Sequence, residues 1–313
     1  MGGRCYQAPV PGDPHPTGWI GYLAPRGFEA DLRAELGAVA LEHGRLLFAP
    51  APAREIAWAQ NVWLDPVRIQ VESIAAAARA LRAIRRDWAL YAATSFRRAH
   101  LIEAQLRPLR PARWTYPCDP PADAPGSWTL LDRGTLIASA RCASPFPNGE
   151  DEFVEDKTAP PNRAYLKLWE LFTRIGQRPS RGETCLDLGA SPGGWTWALQ
   201  QTGARVLAVD KAPLAETVAR LPRVELRRES AFAIDPTSIG QVDWWCCDVA
   251  CAPARLLALV ERWLAAGTAR RMVCSIKFQG PADPGTVRRF AAIPGSRLLH
   301  LHHNKHELTW LRL

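Results

Sequence analysis

The sequence predicts an α/β protein: a Rossmann-like, mainly parallel sheet in the C-terminal half, preceded by an N-terminal α+β domain of ferredoxin-like type. Three observations predict this. Residues 184–211 read as a buried strand (185–188), a glycine turn (Gly189-Ala190-Ser191-Pro192-Gly193-Gly194), a helix (195–201), a second buried strand (205–209) and an acid, Asp210, at that strand's end. This is the front of a doubly wound nucleotide-binding sheet. Further apolar runs at 224–226, 242–247 and 272–276 supply three more strands, with helical spacing at 255–266 and 286–292. The chain then closes on two short strands, 297–301 and 308–311, joined by His302-His303-Asn304-Lys305-His306, which suits an antiparallel hairpin at the sheet edge.

From the N-terminus, residues 1–17 are rich in proline and glycine and read as a flexible arm. Residues 18–24 form a strand, Pro25-Arg26-Gly27 turns the chain, and Phe28, Leu32 and Leu36 recur every fourth residue, as in a helix. Strands follow at 45–48 and 66–71, then an alanine- and arginine-rich helix over 74–85. The runs 128–131 and 135–140 flank Asp132-Arg133-Gly134, a hairpin signal. Arg79, Arg82, Arg85 and Arg86 lie at helical spacing, and Arg97, Arg98, Arg107, Arg110 and Arg113 continue the basic stripe. Such a stripe either tracks phosphates or is a solvated helix face. On the first reading residues 18–145 are an RNA-binding domain. Residues 146–161, with several prolines and acids at 150, 151, 152, 155 and 156, read as a linker, and residues 162–313 as the second domain. That domain starts with an amphipathic helix over 162–174, with Tyr165, Leu168, Trp169 and Phe172 on one face and Lys167 near its middle.

A chain of 313 residues can bury two cores, and 47% hydrophobic content excludes a mainly disordered protein. No apolar run approaches the roughly 20 residues of a membrane span, and the first residues lack the apolar segment of a signal peptide. The eight cysteines form no Cys-x-x-Cys pair, which argues against zinc; they read as reduced thiols of a cytoplasmic protein. The net charge of +8 favours an anionic partner such as nucleic acid. Only five of the 39 basic residues are lysines (157, 167, 211, 277 and 305), all in the second half. A chain that uses arginine so freely keeps lysine where arginine fails, and arginine cannot give up its proton.

Ligands of open α/β sheets bind at the carboxyl ends of the strands. Gly189, Asp210, Asp248 and Lys277 all fall at such ends, Lys167 comes from the preceding helix, and Glu307 from the closing hairpin. One charged residue at a strand end is an ordinary solvated cap; two lysines and two acids in these frames point to one site. No metal is expected, since His302, His303 and His306 lie in a turn whose nearest acid is Glu307. The element order with its closing hairpin matches the sheet of S-adenosylmethionine-dependent methyltransferases, whereas a nicotinamide dehydrogenase repeats a second parallel half.

Residues 162–168 (NRAYLKL), 187–195 (DLGASPGGW), Asp248, 276–280 (IKFQG) and 306–309 (HELT) resemble the FtsJ/RrmJ-type ribose 2'-O-methyltransferases, which carry a Lys-Asp-Lys-Glu tetrad. The resemblance covers residues 155–313. Residues 22–29 (YLAPRGFE) are similar to the N-terminus of the RlmM branch, which methylates a cytidine ribose of bacterial 23S rRNA. The resemblance implies S-adenosyl-L-methionine as cofactor, large-subunit rRNA as partner, and Lys167, Asp248, Lys277 and Glu307 as catalytic residues. Lys277 would be the base, oriented by Asp248, with Glu307 a partner of Lys167 or of the ribose. Lys167 as a neighbouring cation favours a neutral Lys277, while the two acids oppose it. Gly189, Ser191, Pro192, Gly193, Gly194 and Trp195 would line the methionine moiety, beside Asp248, and Asp210 would take the cofactor ribose. Ser230 stands where the family often places an acid for the adenine amino group. Other chemistries fit less well. Amino-directed enzymes carry Asn/Asp-Pro-Pro-Tyr/Phe where this chain has Asp248-Val249-Ala250-Cys251, and carbon-5 cytosine enzymes use a Pro-Cys nucleophile where Cys251 has Pro253 after it. Two alternatives stay open: a ribose methyltransferase of another RNA, and a non-catalytic RNA-binding or assembly module, whose expected damage to the glycine turn or tetrad is absent.

Overall fold

The computed structural model describes residues 13–109, 113–120 and 122–313. Most of the predicted arm (1–12) and Arg110 lie outside the described residues. The chain folds as two compact units: the first extends to Glu152 apart from Thr115–Asp119, which join Phe153–Leu313 in the second.

The first unit is α+β, and its strands divide between two sheets. One sheet runs Leu41–His43, Leu46–Pro50, Trp19–Leu23, Asn61–Trp63; the other runs His15–Pro16, Pro66–Gln70, Thr135–Ser139, Gly126–Leu130, Trp88–Leu90. Trp19–Leu23 is paired on one side by Leu46–Pro50 and on the other by Asn61–Trp63, whereas Pro66–Gln70 pairs with Thr135–Ser139 and His15–Pro16 in the second sheet. Helices Ile74–Ile84 and Phe96–Glu103 cover the second sheet through Ala77, Ala78, Leu81, Ala99 and Ile102. Part of the arginine stripe is used internally: Arg82 donates to the Gln105 carbonyl at 2.8 Å, Arg85 to the Ala140 carbonyl at 2.6 Å, and Arg107 pairs with Asp87 at 3.2 Å. Arg79, Arg86 and Arg97 stay exposed. The predicted linker also starts too early. Phe146 is 1% exposed and meets Trp114 edge-on, and the Asn148 amide donates to the Leu90 carbonyl at 2.9 Å, so residues 146–152 belong to the first unit. Their anchoring runs through single side chains, which leave no periodic pattern.

The second unit is a seven-stranded sheet between helices. Its strands are β1 (Thr184–Leu188), β2 (Arg205–Val209), β3 (Val224–Arg227), β4 (Val242–Cys247), β5 (Ala269–Lys277), β6 (Ser296–Leu299) and β7 (Glu307–Arg312). The helices are α1 (Tyr165–Ile175), α2 (Gly194–Gln201), α3 (Glu216–Ala219), α4 (Pro236–Ile239), α5 (Pro253–Ala266) and α6 (Pro284–Ala291). Strand order is β3-β2-β1-β4-β5-β7-β6; the pairings among β1 to β5 are parallel, and those of β7 with β5 and β6 antiparallel. This is the Rossmann-like methyltransferase sheet. Central strands buried on both faces read as continuous apolar runs: Cys185, Leu186, Leu188, Trp245, Cys246 and Cys247 are all fully buried. Each large apolar side chain so buried stabilises by about 1.5–3 kcal/mol. The order reverses between β1 and β4, and that crevice is where such sheets hold ligands.

Candidate active site

The sheet register builds the site. β5 and β7 run antiparallel with Lys277 opposite Glu307, so the end of one strand and the start of the next present a lysine and a glutamate side by side. Asp248 follows β4, with its backbone N–H donating to the Leu188 carbonyl at the end of β1 at 3.1 Å. Lys167 projects from the first turn of α1, whose Tyr165 and Trp169 rings pack against Trp197 of α2.

The four side chains meet. Lys167 Nζ lies 3.2 Å from Asp248 Oδ1 and 2.6 Å from Glu307 Oε1. Lys277 Nζ lies 3.1 Å from the same Asp248 oxygen and also donates to the Asp248 backbone carbonyl. Lys167, Asp248 and Glu307 side chains are 11%, 15% and 6% exposed; Lys277 is the most open at 27%. Burial works against the Lys167 charge, but Asp248 and Glu307 outweigh it and hold the ammonium above its ordinary range. Burial likewise pushes the Asp248 carboxyl up, and Lys167 and Lys277 more than reverse that, keeping it below the usual carboxylate range. A cation in a helix's first turn opposes the helix dipole; here two carboxylates compensate it.

Beside this cluster lies a cavity of about 210 Å³ at the strand ends, lined by Gly189, Val209, Asp210, Lys211, Glu229, Ser230, Ala231, Phe232, Val249 and Arg255. Asp248 directly precedes the wall residue Val249, so the cavity and the ionic cluster adjoin. Of the expected cofactor residues, Gly189, Asp210 and Ser230 line the cavity. Ser191, Pro192, Gly193, Gly194, Trp195 and Asp248 are not among its wall residues. Ser191 N–H donates to Asp210 Oδ2 at 3.0 Å and its hydroxyl to the Pro213 carbonyl at 2.8 Å, while Ala212 N–H reaches Asp210 Oδ1 at 2.9 Å. The Pro192 carbonyl accepts from Ala215 N–H at 2.9 Å. Trp195 is 3% exposed, and its indole N–H donates to the Ala164 carbonyl at 3.1 Å, tying α2 to the start of the helix that carries Lys167.

The glycines answer to the protein itself. Gly189 has φ +78°, and a Cβ there would stand 2.8 Å from Val249 Cα; a Cβ on Gly194 would run into the Asn162 carboxamide oxygen. A larger residue at 189 would press on the Val249 backbone, and one at 194 would displace the Asn162 carboxamide, which accepts from Ala164 N–H at 3.0 Å. Beneath the turn, Asp187 is fully buried. Thr196 donates to its Oδ2 at 2.6 Å and Oδ1 has no hydrogen-bond partner. Burial pushes its carboxyl up to about 7, helped by the charges of Asp248 and Asp210 and opposed by the Thr196 hydrogen bond.

The sequence reading missed Phe232, Val249, Glu229, Lys211 and Arg255 as wall residues. Their only common signal is position just past a strand end or in the first turn of the following helix.

Residues 160–271 match the FtsJ-like methyltransferase family. Among curated proteins, the chain is 38% identical over 172 residues to the ribosomal RNA large subunit methyltransferase M of Halorhodospira halophila, covering 52% of this chain and 50% of that protein. The proteins of the same name from Azoarcus sp. and Alkalilimnicola ehrlichii are each 34% identical, over 185 and 188 residues, covering 54% and 56% of this chain and 50% and 51% of theirs. The chain thus spans about half the length of the curated relatives it matches. Lys277 and Glu307 lie beyond the matched residues; the β5–β7 register sets them side by side, Lys277 against Asp248 and Glu307 against Lys167, both of which lie within the match.

Proposed function

We propose that this protein transfers the methyl group of S-adenosyl-L-methionine to a ribose 2'-hydroxyl of large-subunit rRNA, with a cytidine ribose of 23S rRNA as the narrower target. The observation that carries this reading is Asp248 Oδ1, which holds Lys277 at 3.1 Å and Lys167 at 3.2 Å one residue before the cavity wall. The names of the relatives supply the RNA class.

The residues around the cavity fit the cofactor. Asp210 offers a carboxylate to two ribose hydroxyls, each oxygen keeping acceptor capacity beyond its one backbone partner. Ala231, Phe232 and Val249 offer apolar surface to a base. When bound, the cofactor supplies a methyl group already activated on a positively charged sulfur. The chain's own task is then to orient a hydroxyl and take its proton.

Lys277 takes that proton. An ammonium has no lone pair to take it, so Lys277 must first lose a proton to solvent; the neutral amine then has two N–H groups and one lone pair. The two contacts to Asp248, one to Oδ1 and one to the backbone carbonyl, use the N–H groups and leave the lone pair for the hydroxyl. Asp248 is the positioning group, and Lys167, charged between Asp248 and Glu307, holds that carboxylate still. Orientation of this kind is worth about 7–11 kcal/mol of barrier when the geometry is right, and general-base assistance adds about 10²–10⁴-fold. In the first unit, the exposed Arg79, Arg86 and Arg97 supply phosphate contacts.

The test is alkaline digestion of 23S rRNA methylated with labelled cofactor. A 2'-O-methyl group blocks cleavage of its own 3' phosphodiester, so label is expected in alkali-resistant dinucleotides. Label confined to mononucleotides would mean base methylation and refute the reading.

A further inference from the structure

Resting on that cofactor reading, we propose that Arg255 with Phe232 forms the wall that binds the adenine base, by stacking on a guanidinium–phenyl pair in place of a carboxylate contact to the amino group. Both residues line the cavity, and the Arg255 guanidinium carbon sits 3.7 Å from the centre of the Phe232 ring. That is close, face-on cation–π contact. Ser230, two residues before Phe232, offers no charge at the position expected for an acid.

Three features separate Arg255 from an ordinary surface arginine. It is exposed, and among the described residues no carboxylate stands within ion-pair distance of it. It lies in the first turn of α5, a turn with no acidic residue, where a cation opposes the helix dipole. Its partner is also held from the same helix: Arg262, two turns further on, donates to the Phe232 carbonyl at 3.0 Å and the Ile234 carbonyl at 3.1 Å. One arginine therefore fixes the backbone of the 232–234 loop, and the other sits over its ring at the cavity. A planar, weakly hydrated cation whose N–H groups stay available suits an electron-rich purine, both as a stacking surface and as a donor to its ring nitrogens. Glu229 lines the same cavity and is the rival for the base.

The experiment is calorimetric binding of S-adenosylhomocysteine to the full chain and to Arg255→Ala, Arg255→Met, Glu229→Gln and Asp210→Ala variants, with circular dichroism melting of each. Arg255→Met keeps an apolar stem over Phe232 and removes only the charged plane. Both Arg255 variants are expected to bind about 3- to 30-fold more weakly with an unchanged melting temperature, the range set by cation–π contacts, and Glu229→Gln to lose less affinity than either. Unchanged affinity in both Arg255 variants overturns the proposal, as does a loss confined to Glu229→Gln. Loss of binding in Asp210→Ala alone leaves the cofactor reading standing without Arg255. Parent-like binding in Asp210→Ala overturns the cofactor reading and this inference with it.

Discussion

Replacing Lys167 with methionine tests whether the four charged side chains act as one unit. The Lys167–Glu307 contact of 2.6 Å has a gross attraction of about 6 kcal/mol at an effective dielectric of about 20. Most of that is offset by the cost of taking both groups from water. Removing the lysine is nonetheless expensive, because Glu307, 6% exposed, is left without its cation, whereas Asp248 keeps Lys277. Breaking a buried pair from one side costs about 3–5 kcal/mol. Lys167→Met should therefore destabilise the second unit by about 3 kcal/mol, and Glu307→Gln, which leaves Lys167 with Asp248, by less. In the double variant neither charge is orphaned at that contact, so the two losses should overlap by about 2 kcal/mol. The assay is urea denaturation followed by tryptophan fluorescence for the four members of the cycle, which isolates the pairwise coupling. Additivity within about 0.5 kcal/mol would show that Lys167 and Glu307 act independently, contrary to the geometry.

Other predictions follow from the same contacts. Lys277→Ala should reduce methyl transfer at least about 100-fold with S-adenosylhomocysteine affinity kept; retained turnover would remove Lys277 as the base. Asp210→Ala should weaken cofactor binding about tenfold or more, since it removes the ribose acceptor and frees the Ser191 and Ala212 N–H groups; calorimetry with no loss would exclude that contact. Asp187 gives a pH signature. Its carboxyl titrates near 7 in the folded chain against an ordinary 3.8, so the native state binds the proton more tightly than the unfolded chain. Stability on this account is fully present below about pH 4, falls as pH rises towards 7, and is level above that. Between pH 5 and 8 the loss is up to about 3 kcal/mol. Asp187→Asn keeps an acceptor for Thr196 and removes the titration, so its stability should decline less over that interval; parallel pH curves for the two proteins would contradict the shift.

The second unit was largely legible in the sequence because its strands are buried on both faces and appear as unbroken apolar runs. β2 and β4 occupy the residues expected, and β5 extends the expected run outward at both ends. The first unit was less legible. Leu41–His43, Asn61–Trp63 and Trp88–Leu90 are three-residue strands, too short to show alternation, and only their pairing divides the strands into two sheets. In the site, Asp210 and Asp248 stood out as acids at strand ends. Arg255 did not, since one arginine among many carries no periodic signal. The contact of Asn162 with Gly194 joins residues 32 positions apart and is equally silent.

By itself, the sequence determined the order of strands and helices, the glycine turn and the chemical identity of the charged groups, because these follow from local backbone preference and from which side chains can carry or lose a proton. Only the tertiary structure decided that Asp248 is the carboxylate shared by both lysines, that Glu307 belongs to Lys167, and that Trp195 braces a helix outside the cavity wall. Those outcomes depend on the antiparallel register of β5 against β7 and on the placement of α1 across β4. Distances of about 3 Å between residues 29 to 140 positions apart are set when the sheet closes, and no local pattern encodes them.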